Sequence, residues 1–230
     1  MTAERVLGVD ACKSGWIGIA LTGGTTAAYA ATHIDELVAA AHADGLMQVV
    51  AIDMPIGLPD AGYRRADQLA RSKVGPQWRS VFMTSGPRCA GSPGPRERDR
   101  SQAGGDRRRV SAQAFALRHK LLEVDAWVRH TGARVVEVHP EVSFATLAGH
   151  PLPESKRTCA GAIHRRRLLT QAGIVLDDDL GPAGSAAAAD DVLDAAVAAW
   201  TARRVARTEA QPMPNPPDVF SDGIPSAIWT

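Results

Sequence analysis

The chain has 230 residues, 45% hydrophobic and 22% charged, with a formal net charge of +1, which allows one substantial core and demands no acidic partner. No apolar run approaches the roughly 18 residues of a membrane span. Three scattered cysteines (Cys12, Cys89, Cys159) without a C-x-x-C pair, and an acid early in "MTAERVLGVD", argue against a disulfide framework, a cysteine zinc site and a secretory leader, so a soluble cytoplasmic protein is expected.

The first elements read as a meander: an apolar strand at 6–10, an "ACKSG" turn, a strand at 16–21, a "TGG" turn and a third strand near 25–31. Asp35 and Glu36 open a helix continued by "ELVAAAHAD", where negative side chains favour the positive end of the helix dipole. "MQVVAIDMPIGLP" is almost wholly apolar, as a strand covered on both faces is, and it ends at Asp53. "GYRRADQLARSKVG" predicts a short surface helix. Residues 84–110 are rich in Gly, Pro, Ser and Arg and poor in large apolar side chains, which predicts a long mobile loop. Phe115, Leu117, Leu121, Leu122, Val124 and Val128 then give "SAQAFALRHKLLEVDAWVRH" a helical apolar stripe, ended by Gly132.

"ARVVEVHPE" predicts a fifth strand, helical patterns follow at 142–148 and 161–172, and a last helix runs from near Asp190 to about Arg207. Residues 208–230 read as a proline-rich tail. The expectation is one α/β domain over 1–207. Its mixed five-stranded sheet, an antiparallel meander plus parallel strands, is flanked by helices.

Acids collect at the ends of these elements. Asp10 closes the first strand, Asp53 the fourth, Glu137 lies in the fifth and Glu141 just after it. Burying an unpaired carboxylate is costly, so acids meeting at one point would raise one another's pKa unless a hard dication such as Mg²⁺ or Mn²⁺ joined them. Taken singly, each has a plainer role: a strand-end aspartate forms turns, and Asp190 or Asp191 at a helix head is a cap. Asp194 lies past the capping positions. On a helical wheel Asp190 and Asp194 flank the Leu193, Val197 and Trp200 face, whereas Asp191 points away.

The stretches "GVDACKSGW", "AIDMPIGLP", "SAQAFALRHKLLEVD", "VVEVHPEVSFATLAG", "ESKRTCAG" and "DDVLDAAVAAWTA" resemble the ribonuclease H-like superfamily, and within it an uncharacterised family described as predicted RNase H-like nucleases. The last helix also resembles that of RuvC-type junction resolvases, with two aspartates three apart before an alanine. The resemblance implies metal-binding acids at Asp10, Asp53, Asp191 and Asp194, with Glu137 as a further motif acid. It also implies Mg²⁺ or Mn²⁺ as cofactor and a two-metal hydrolysis of nucleic acid. Lys156, in "ESKRT", is a candidate phosphate contact.

Between 84 and 110 seven arginines, Arg107 and Arg108 among them, face three acids, an excess able to attract phosphates. "HRRR" at 164–167 is a second basic cluster. His139 could relay protons or be a hydrogen-bonded structural residue. The leading expectation is a nuclease acting on DNA or RNA, and a homodimer is open to it as resolvases need two active sites. The alternative is a non-catalytic metal- or nucleic-acid-binding protein on the same scaffold. A phosphotransferase ranks third, because actin-like kinases need two such domains and this chain has room for barely one.

Overall fold

The computed structural model describes residues 4–84 and 107–230, with the backbone alone over 107–116. Strands β1 (Arg5–Cys12), β2 (Gly15–Thr22) and β3 (Thr25–Ala31) form the antiparallel meander. Helix α1 (Ile34–Ala43) returns the chain to β4 (Val49–Ile52), parallel to β1. After α2 (Arg65–Lys73), a 3₁₀ turn (Gly75–Ser80) and α3 (Arg107–His130), β5 (Val135–Glu137) adds beside β4, again parallel. Four helices follow, α4 (Pro140–Ala148), α5 (Cys159–Gln171), α6 (Gly181–Ala186) and α7 (Ala189–Ala206), and then strands β6 (Pro212–Val219) and β7 (Pro225–Trp229). The result is one mixed sheet in the order β3-β2-β1-β4-β5-β7-β6.

Among the described residues seven strands replace the expected five. The additional two come from the proline-rich segment that reads as a tail: β7 pairs in parallel with β5, and β6 closes the sheet antiparallel to β7. Four of the eight residues of β6 are prolines, which donate nothing to a ladder. Such a strand is tolerated only at an edge, and β6 is the edge, its pairing interrupted between Met213 and Asp218. At the other boundary of the predicted loop, Arg107 to Val110 are the first turn of α3, as good helix formers can be. Residues 85–106, the rest of that loop, lie outside the described residues.

Side-chain alternation splits the core in two. Val6, Cys12, Ile17, Ile19, Val49, Ala51, Val136 and Val138 face α4, α5, α6 and α7. The opposite face, with Leu7, Val9, Trp16, Ala20, Val50 and Ile52, packs on α1 and α3. On α1, Ile34, Leu37, Val38 and Ala41 keep the i, i+3, i+4, i+7 spacing of one helical face. Each large aliphatic side chain there contributes roughly 1.5–3 kcal/mol of burial. Among the described residues no helix is long and apolar enough to cross a membrane.

Helix α7 lies across β1, β2 and β4, and its alanines (Ala195, Ala196, Ala198, Ala199, Ala202) are completely buried. Gly8 on β1 allows this closeness, since a Cβ there would sit 2.0 Å from Ala199 N and 2.2 Å from Ala195 O. Backbone meets backbone at that point. The contact therefore fixes the depth at which the acids of α7 stand over the ends of β1 and β4.

Candidate functional site

Register brings the first two acids together. Val9 pairs with Ile52 across the parallel β1–β4 ladder, and Asp53 N donates to Val9 O at 3.0 Å, so Asp10 and Asp53 are the next residues on adjacent strands. Neighbouring strands run about 4.8 Å apart. Both acids share parity with Gly8 and Ala51 and so point toward α7. Asp10 and Asp194 are buried, at 6% and 1% exposure, while Asp53 is half-buried. Asp10 Oδ1 accepts from Ala11 N at 2.7 Å.

Electrostatics follow from this proximity. Burial pushes Asp10 well above the usual carboxylate range, and Asp53, Asp194 and Asp191 raise it further while Lys156 lowers it. Asp53 is pushed up to about 7 by burial, against the pull of Lys156. Asp194 is also pushed up to about 7, by burial first, with Asp53 and Glu141 adding to it and Lys156 opposing. Lys156 reaches in from the loop before α5, and its ammonium donates to Asp194 Oδ2. The other oxygen, Asp194 Oδ1, is buried with no hydrogen-bond partner among the described residues.

At the head of α7 the two remaining aspartates part company. Asp191 Oδ2 accepts from Ala188 N at 3.4 Å, capping the helix, and its charge still acts on Asp10. Asp190 is absent from the charges that move Asp10, Asp53 or Asp194. The wheel favours Asp190 only if the helix axis lies flat over its apolar face; the close approach at Gly8 turns the Asp191 side toward β1 instead. Lys120, on α3, closes the other flank. Its ammonium donates to Gly15 O, lies 4.3 Å from the Trp16 ring centroid and senses both Asp10 and Asp191.

Glu137 stands apart from the cluster. It pairs with Ile52, between Val136 and Val138, so its side chain takes the opposite parity from Asp53. There both its oxygens accept from Arg64, each at 2.7 Å, and Ile56 N donates to Oε2 at 2.8 Å. Arg64 also holds Asp67 at 2.5 Å, and Asp67 accepts from Thr84 N at 2.7 Å. Arg64 and Asp67 are 1% exposed, so the segment predicted as a surface helix anchors a buried ion network. Within "HRRR", Arg165 is fully buried and grips both oxygens of Glu141 at 2.8 Å. It is a structural cation, which removes it from the predicted basic surface. Arg107 and Arg108 belong to the part of α3 whose side chains lie outside the described residues.

His139 sits at the margin. Its Nε2 is 3.4 Å from Ser80 O and its Nδ1 is buried without a partner among the described residues, while burial holds the imidazole below its usual pKa. It lines a cavity of about 160 Å³ together with Asp53, Ser80 and Phe82.

The donors are hard oxygens of the kind Mg²⁺ or Mn²⁺ takes, and Asp194 Oδ1 has no hydrogen-bond partner among the described residues. As placed, however, no three acids, histidines or cysteines among the described residues are grouped to surround an ion. Lys156 supplies the compensating charge.

A family model described as a protein of unknown function, DUF429, matches residues 8–219, from β1 to the end of β6. The chain belongs to the DUF429 family. No curated protein and no solved structure matches it. In this DUF429 chain the match takes in every acid of the cluster and both flanking lysines.

Sequence reasoning passed over Lys120 and Arg64. Lys120 carried a signal, since "SAQAFALRHKLLEVD" is one of the stretches of the resemblance, but its position opposite Asp10 depends on how α3 packs. Arg64 carried none, because its partner Glu137 is 73 residues away.

Proposed function

We propose that this chain is a divalent-cation-dependent phosphodiester hydrolase acting on nucleic acid, on an RNase H-like scaffold. The observation that carries the reading is Asp194: nearly inaccessible, one oxygen without a partner among the described residues, and crowded by Asp10 and Asp53 with all three acids raised. A structural role does not explain the arrangement, since an apolar residue there would avoid the repulsion. The strand order β3-β2-β1-β4-β5, with β1, β4 and β5 parallel, further supports it.

Asp10, Asp53 and Asp194 would hold Mg²⁺ or Mn²⁺, with Asp191 at the rim. A bound dication supplies Lewis-acid polarisation of the phosphate and a water of lowered pKa. Lys156 keeps the cluster compact before a cation arrives and can then turn its ammonium to a phosphate oxygen. Lys120, on the far flank, offers a second positive charge to the backbone of the bound strand.

The test is cleavage of single-stranded, duplex, hybrid and junction oligonucleotides of DNA and RNA, with Mg²⁺ or Mn²⁺ and with EDTA. Cation-dependent cleavage is expected, with a loss of at least about 100-fold in Asp10→Asn and in Asp194→Asn. Cleavage retained in both variants rejects the assignment. The Lys156–Asp194 pair and the lack of a grouped metal cage favour one second reading, a nucleic-acid-binding protein without turnover, which predicts binding in EDTA and no product with any cation.

A further inference from the structure

One part of the surface joins bare aromatic rings to cations. Trp78, in the 3₁₀ turn, is 45% exposed and Phe82 just beyond it 51%. The guanidinium carbons of Arg71 and Arg79 lie 5.4 and 5.2 Å from the Trp78 ring centroid, within cation–π range. Arg71 is fixed there, its Nε and Nη2 donating to Val81 O at 3.2 and 3.1 Å. Arg79 is exposed and forms no ion pair among the described residues. From Gln68 to Thr84 the sequence holds Arg71, Lys73 and Arg79 and not one Asp or Glu. Large exposed rings cost solubility, and an acid-free run of cations beside them attracts anions rather than an apolar partner.

The patch reaches the candidate site at Asp53, through a cavity whose walls also include Arg64, Asp67 and Glu137. Phe82 and Ser80 line the same cavity as Asp53 and His139, and the Ser80 carbonyl contacts the His139 ring. We propose that Trp78, Phe82, Arg71 and Arg79 form a binding platform for a single strand of nucleic acid, which they lead toward Asp53. Bases stack on the two rings while the phosphates between them meet Arg79 and Arg71. Only an unpaired strand has base faces free to stack, so duplex ends bind here weakly. DNA and RNA share this chemistry. The inference rests on the hydrolase reading only for the direction in which the strand runs, and the binding itself stands apart from turnover.

Fluorescence anisotropy of labelled 12-mers in EDTA tests it, using oligo-dT, oligo-U and a matched duplex, with the folding of each variant checked by thermal melting. Trp78→Ala is expected to weaken single-strand binding roughly ten-fold, and Phe82→Ala several-fold, with Trp78→Phe close to the parent. Arg79→Ala flattens the salt dependence. Duplex affinity stays within two-fold of the parent's in all four variants, by this account roughly a baseline of non-specific charge. A preference between oligo-dT and oligo-U assigns the sugar. Platform-dependent binding without cleavage keeps this inference and removes the hydrolase. Cleavage with binding indifferent to Trp78 and Phe82 removes the inference alone, and so does an equal loss on single strand and duplex. Absence of any oligonucleotide binding overturns both.

Discussion

Asp10 and Glu137 are both buried acids on central strands, yet they answer substitution in opposite ways. Asp10 is charged at a cost. Its folded pKa is raised, so the folded state holds a proton the unfolded chain releases, and stability falls as pH rises from about 4 through the raised value. Asp10→Asn keeps the oxygen that accepts from Ala11 N and removes the charge. In EDTA at pH 8 it should melt about 2–4 °C above the parent, a gain of roughly 1 kcal/mol, and the gap should close by pH 4. Differential scanning fluorimetry across that range checks it. Burial raises Glu137 as well, but Arg64 opposes it and meets both its oxygens. Glu137→Gln leaves the buried Arg64 with Asp67 alone, so it should cost stability in urea denaturation, at the lower end of about 3–5 kcal/mol. Such a loss marks Glu137 as an anchor of β5, whereas an unchanged midpoint would return it to the candidate ligands.

At the scale of elements, the β1–α7 contact sets the site. Gly8→Ala places a methyl against Ala199 N and Ala195 O, both backbone atoms that cannot rotate away. The helix must lift, at a cost of roughly 1–3 kcal/mol for overpacking or more, and it carries Asp191 and Asp194 from β1. A denaturation midpoint equal to the parent's would show that the helix is not seated so closely. The meander and α7 were legible because alternation and helical spacing are local: Val6, Gly8 and Asp10 announce one face, Leu7 and Val9 the other. The same alternation, Val136–Glu137–Val138, already argues that Glu137 looks away from Asp53. Strand β6 was not legible, since its prolines are signals against a strand and only an edge position excuses them. The pairs Arg64–Glu137 and Arg165–Glu141 were invisible for another reason: the partners are 73 and 24 residues apart, and only the fold joins them. The resemblance named Asp191 where the wheel pointed to Asp190, and the turn of α7 over Gly8, which no wheel contains, brings the Asp191 charge to bear on Asp10.

For the whole molecule, the mixed sheet explains why acids so far apart meet. Parallel β1 and β4 deliver Asp10 and Asp53 at the same end of the sheet, and α7 crosses above that end with Asp194. The two clusters that cover the faces of the sheet pack the strands from both sides. On the proposed reading, the repulsion among the acids is what a bound cation would relieve, and Lys156 offsets part of it. Lys156→Met should leave the acids less well compensated. At pH 8 in EDTA it should lower the melting temperature, and addition of Mg²⁺ should recover most of the loss. A loss that Mg²⁺ leaves untouched would mean that Lys156 serves packing alone. The measurement that bears most directly on the whole account is calorimetric titration of the metal-free protein with Mn²⁺ at pH 8, beside Asp10→Asn and Asp194→Asn. Saturable binding by the parent, weakened at least about ten-fold in each variant, is the result predicted. No heat and no rise in melting temperature up to millimolar Mn²⁺ would contradict it.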